Sequence, residues 1–117
     1  MGWLFGKKKS QDTQVLDNKQ NIQELAGSFD SLMIGVQDAG LKQRLADVQE
    51  KVKYFNPTNN AKALDIDKKI ARLVGDIKIA LSKTMEEEKK VEKISSIILE
   101  IEMLVPDRIN FANLKLK

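Results

Sequence analysis

The sequence predicts an all-α fold, an antiparallel bundle of three to four helices, and three observations lead there. The most apolar stretch, Val91–Val105, places Val91, Ile94, Ile97, Ile98, Ile101, Leu104 and Val105 within about 140° of a 3.6-residue helix. That stripe is too broad for one partner helix to cover, so it asks for at least two neighbours. Two long segments, 12–55 and 61–105, carry the same helical period almost throughout. Composition agrees: few aromatics, two prolines, and many Lys, Glu, Leu, Ile and Ala.

A chain of 117 residues makes one domain large enough to bury a core. The expected organisation is a flexible N-terminal arm over 1–11, a helical bundle over 12–105 and a C-terminal tail over 106–117. The arm, MGWLFGKKKSQ, shows no helical period. From Asp12 the period begins, with Asp12 or Ser10 suited to the N-cap. Val15, Ile22, Leu25, Ala26, Phe29, Leu32, Met33 and Val36 then share one face. Gly40 suits the left-handed C′ position that ends a helix, with Leu41 as C″ touching Val36. The apolar phase also changes there, to Leu41, Leu45, Val48, Val52 and Phe55. Helix 1 is therefore expected to end near Asp38 and helix 2 to start near Leu41, with one bent helix as the competitor.

Asn56-Pro57-Thr58-Asn59-Asn60 is the clearest turn, because proline excludes the helical region for the residue before it. Helix 3 follows, burying Ala63, Ile66, Ile70, Leu73, Val74, Ile77, Ala80 and Leu81. The next boundary is contested. Thr84-Met85-Glu86-Glu87 matches the capping box, yet Ile70, Ile77, Thr84, Val91, Ile98 and Val105 keep one heptad register across it. Pro106 is expected to close the last helix near Val105. A second architecture competes with the compact bundle: a long broken helical hairpin, 12–55 against 61–105, which would have to dimerise to cover its widest stripe.

The net charge of +3 equals the run Lys7-Lys8-Lys9; without it, 17 acidic residues face as many basic ones. The body is neutral, so no nucleic-acid-binding face is indicated on it. Lys51-Val52-Lys53-Tyr54-Phe55 sets aromatics beside lysines, but Val52 and Phe55 belong to the core stripe, and nucleic-acid binding ranks low. There is no cysteine and no histidine, which removes disulfides, thiol chemistry, the commonest metal ligand and the commonest general base. Glu86-Glu87-Glu88 reads as a helix start, and Asp65 with Asp67 as a solvated face, rather than as cation sites. No phosphate loop, nucleophile elbow or zinc motif appears, and neither Lys83 nor Tyr54 sits in a catalytic pattern. No enzyme, cofactor or metal is expected. Gly2 does not read as a myristoylation site, because Gly6 stands where the motif wants Ser or Thr.

Two surfaces remain. Trp3, Leu4 and Phe5 lead directly into Lys7, Lys8 and Lys9, a combination that suits an anionic membrane surface or packing on protein. Ile34, Leu99 and Met103 lie off the main apolar stripes and mark a possible interface. The leading expectation is a non-enzymatic protein–protein interaction module that docks a partner or itself through a helix face. The alternative is a peripheral membrane-surface protein tethered by the N-terminal tip. No stretch is long and apolar enough for a membrane span or built like a secretory signal, so the expected location is cytoplasmic, with the membrane surface as its alternative.

Overall fold

A computed structural model describes residues 11–113, with side chains from residue 19 onward. It contains four helices: α1 (Gln11–Gly35), α2 (Ala39–Lys53), α3 (Ala61–Ser82) and α4 (Glu87–Asn113). Gln11, expected in the arm, is already helical. Residues 1–10 and 114–117 lie outside the described residues, and with them the expected tip and the end of the expected tail.

The break between α1 and α2 falls where the apolar phase changes, but its device differs from expectation. Gly40 is not a left-handed stop: it lies inside α2, and no described glycine has positive φ. Asp38 instead starts the second helix. Its backbone is extended (φ −68°, ψ 122°), and its Oδ1 accepts the Leu41 N–H at 2.9 Å. The carboxylate satisfies a free N–H at the start of α2, so the start signal at Asp38 overrides the stop signal two residues later. α1 ends accordingly at Gly35, three residues earlier than expected, with Val36 N–H still donating to Leu32 O at 2.9 Å.

α2 closes with a tightened turn, in which the Tyr54 and Phe55 N–H groups donate to the Lys51 and Val52 carbonyls. Lys51 and Lys53 sit in that last turn, where cations complement the helix dipole. The expected turn follows. Asn60 caps α3 by accepting the Lys62 and Ala63 N–H groups at 2.9 and 3.1 Å. α3 and α4 are separate helices, so the heptad register does not carry through. Capping-box register would start the last helix at Met85; α4 starts at Glu87, with Glu87 and Glu88 in its first turn.

Pro106 does not end α4, which continues to Asn113. An interior proline removes one backbone hydrogen bond and crowds the carbonyl four residues earlier, at a cost of about 3 kcal/mol. Here the ring faces solvent, so the carbonyl of Glu102 it deprives lies on the wet side. The turns beyond it are held by tertiary contacts: Arg108 is buried, and Phe111 packs against the core. The residues expected as tail are therefore helix as far as Asn113.

Two helical hairpins stack to make the bundle. In α1–α2, Gln49 Nε2 donates to Ala26 O and Asp30 Oδ1, both at 2.8 Å, which fixes an antiparallel pair. In α3–α4, Arg108 reaches back to Asp67. Between hairpins, α1 lies on α3 and α2 on α4, while α1 and α4, like α2 and α3, occupy opposite corners. Pairs across hairpins run parallel: Arg44 meets Ser95 and Glu102, and further on Asn56 meets Asn113. The seven-residue α2–α3 connection is long because it crosses a diagonal. The core runs through all four helices, with Phe29, Leu45, Ile70 and Ile98 among its fully buried members. The broad stripe of α4 is covered by α3 and α2 of the same chain, so no second copy is needed to close it.

Asp38→Ala removes the cap that separates the first two helices. It is expected to lower stability by about 0.5–2 kcal/mol in urea denaturation.

Candidate functional site

Two charged clusters brace the bundle at its α4 side. Arg44 of α2 makes a two-pronged bond to Glu102, at 3.1 Å (Nε–Oε2) and 2.9 Å (Nη2–Oε1), and Nη1 donates to Ser95 Oγ at 2.7 Å. Hydrogen bonding from Arg44 holds the Glu102 carboxyl below the usual carboxylate range, against the opposing effect of partial burial. The same bond raises the Arg44 guanidinium.

The second cluster is buried. Arg108, on α4 two residues beyond Pro106, is fully buried; its Nε donates to Asp67 Oδ1 at 2.6 Å and its Nη2 to Asn56 O at 3.1 Å. The guanidinium carbon also sits 4.7 Å from the centre of the Phe55 ring. Asp67 is thus not part of a solvated face, as its spacing from Asp65 suggested; Asp65 is exposed, but Asp67 is half-buried and paired. Burial raises the Asp67 carboxyl above its usual range, and the opposing pull of Arg108 does not cancel it. Nη1 of Arg108 finds no acceptor among the described residues. This clasp ties α4 to α3 and to the end of α2, which is a bracing role. Among the described residues no group of three or more acidic side chains is placed to hold a metal ion.

The three interface candidates are all exposed: Ile34 at 84 %, Leu99 at 52 % and Met103 at 66 %. They are not one surface. Leu99 and Met103 are one turn apart on α4, whereas Ile34 is on α1, in the opposite corner. Sequence patterning missed the rest of the α4 surface. Leu99, Met103, Pro106 and Ile109 follow at steps of four, three and three, a continuous exposed stripe. Tyr54, at the end of α2, joins Ile109 around a depression of about 290 Å³. Only the helix running on through Pro106 brings Ile109 into line, so ending the helix at Val105 concealed it. The stripe has an acidic border. From Ser96 to Asn113 the charged side chains of α4 with exposure are Glu100, Glu102 and Asp107, and its one base there, Arg108, is buried.

Trp3, Leu4, Phe5, Lys7, Lys8 and Lys9 lie outside the described residues. Among those described, no helix is long and apolar enough to cross a membrane. Compared with family models, curated proteins and solved structures, the chain matches none.

Asp67→Ala leaves the buried guanidinium of Arg108 without its counter-ion and is expected to cost about 3–5 kcal/mol. Replacing both partners, Asp67→Leu with Arg108→Met, should recover most of that loss in urea denaturation. Glu102→Gln should cost about 0.2–1 kcal/mol at neutral pH, because the pair is one-third exposed. A carboxyl lowered in the folded state contributes stability above its unfolded value and loses it as pH falls through its folded one. The gap between wild type and Glu102→Gln should therefore close below the ordinary carboxylate range, as followed by thermal melts across pH.

Proposed function

We propose that the chain is a non-enzymatic interaction module that docks a partner protein, or a second copy of itself, through the outer face of α4. The observation that supports this reading is the Leu99–Met103–Pro106–Ile109 stripe, exposed on a helix whose inner face is already covered by α2 and α3. None of these side chains belongs to the core cluster, and aligned exposed apolar residues on a folded surface mark association sites. Leu99 opens the stripe and Met103 follows one turn on, and these are the two whose truncation should cost the most binding. Glu100 and Asp107 beside it favour basic groups on the partner, whereas the charge of Glu102 is already met by Arg44. Ile34 belongs to another corner of the bundle and does not extend this face.

Sedimentation equilibrium tests the self-association form: a strict monomer across micromolar concentrations eliminates it. The double variant Leu99→Glu/Met103→Glu should weaken association at least tenfold, about 1.4 kcal/mol or more. Its urea stability should stay within about 0.5 kcal/mol of wild type, since both sites are on the surface. Equal binding by the double variant would rule this face out.

A further inference from the structure

The seam between α1 and α3 carries an open groove of about 590 Å³, within the roughly 300–1,000 Å³ range of ligand-sized clefts. Leu25 and Ser28 of α1 and Leu64, Ala71, Val74 and Gly75 of α3 wall it. The small side chains at Ser28, Ala71 and Gly75 leave the space between the two flanks unfilled; a Cβ built on Gly75 would meet nothing within 4 Å. The groove runs from Leu64 to Lys78, about 21 Å at 1.5 Å per helical residue. Its α1 wall makes no contact with α4, while Asp67 on its α3 wall is the residue that also bonds Arg108.

We propose that this groove seats the chain's own N-terminal segment, with Trp3, Leu4 and Phe5 laid against it. Of the two stretches outside the described residues, only this one offers three consecutive apolar side chains; the other, Leu114–Lys117, alternates leucine with lysine. Reach agrees. The segment joins the bundle at Gln11, the start of the helix that forms one wall. Asn21 and Leu25 lie about 15 and 21 Å along that helix. The seven residues 4–10 span up to about 23 Å when extended, so the triplet reaches the Asn21–Leu25 half of the groove from its own chain. Both ring systems gain from leaving water against Leu25, Leu64 and Val74. Lys7, Lys8 and Lys9 then stay between the groove and Gln11, outside a lining that is itself charge-balanced, with Glu24 and Asp67 against Lys68 and Lys78.

Trp3 is the one tryptophan of the chain, so its fluorescence reports on the segment in the intact protein. The emission of Trp3 is expected to be blue-shifted and shielded from acrylamide, independent of protein concentration. Gly75→Arg, which projects a long side chain into the groove, should return the emission to that of free tryptophan and raise quenching several-fold. Gly27→Arg, at a position equally open but off the groove walls, should leave both unchanged. A second measurement does not rely on the Gly75→Arg fold. The chain lacks cysteine, so Lys68→Cys accepts a single spin label beside the groove, which should broaden the Trp3 indole resonance. The same label at Met103→Cys should leave it sharp. Solvent-like Trp3 emission in the wild type overturns the proposal. So does shielding that survives Gly75→Arg, that appears only with anionic vesicles, or that grows with protein concentration. A sharp indole resonance with the label at position 68 overturns it as well.

Discussion

The bundle depends on the width of one apolar face. Ile94, Ile97, Ile98, Ile101 and Val105 turn too much of α4 away from water for a single helix to cover. Each such side chain is worth roughly 1.5–3 kcal/mol when fully buried, so leaving part of the stripe wet would forfeit a large share of a small domain's margin. Covering it takes α3 on one flank and α2 on the other. Once those two occupy the corners on either side of α4, α1 has one position left: opposite α4, completing the enclosure through Phe29 and Leu32. The square arrangement, the diagonal α2–α3 connection and the parallel stacking of the hairpins all follow from that single requirement.

The buried Arg108–Asp67 pair serves another purpose. Taking both charges out of water is costly, and the raised Asp67 carboxyl shows that Arg108 does not fully offset the burial. Nη1 of Arg108 is without an acceptor among the described residues, which adds to the cost. What the pair supplies is register. An apolar residue at position 108 would accept many alignments of α4 on α3, whereas a guanidinium shared among Asp67, the Asn56 carbonyl and the Phe55 ring accepts very few. The same contacts hold the last turns of α4 in place beyond a proline that weakens the helix locally. Arg44 does for α2 and α4, at the partly exposed side, what Arg108 does in the interior.

Those distinctions explain which parts of the fold are legible in the sequence. Apolar periodicity is local, so spacing alone picks out the core positions from Ile22 to Val105, and nearly all of them are buried. Asn56–Asn60 is legible because proline and the Asn60 cap act over a few residues. The Gly40 stop is a correct local tendency overruled by an equally local one, since Asp38 caps the next helix before Gly40 can end the previous one. Pro106 misleads for a different reason. Its penalty is local, but what outweighs it is an arginine bonded to a carboxylate 41 positions away. No spacing rule reports that. Asp67 is misread for the same reason, its neighbour Asp65 being exposed on the same turn. Leu99 and Met103 stand out because they fall off the stripe; Ile109 and Tyr54 do not, because their alignment exists only once α4 runs on past Pro106.

The bundle keeps apolar surface in two separate places, and the difference between them bears on what each does. The α4 stripe presents the exposed side chains of Leu99, Met103 and Ile109 on the outside of one helix, with a shallow depression only at its Ile109–Tyr54 end. The α1–α3 seam is concave, floored by Ala71 and Gly75, and takes knobs. A second molecule's stripe could enter that seam only by building a head-to-tail contact, since the two surfaces lie on opposite corners and face different ways. Contacts of that kind propagate into open chains unless the rotation closes. Filling the seam from within the molecule removes that route. A segment attached at Gln11 acts at a high effective concentration set by its short tether, whereas a second copy must arrive at its concentration in solution. The same seven residues that bring Trp3 to the groove would thereby confine association to the face of α4.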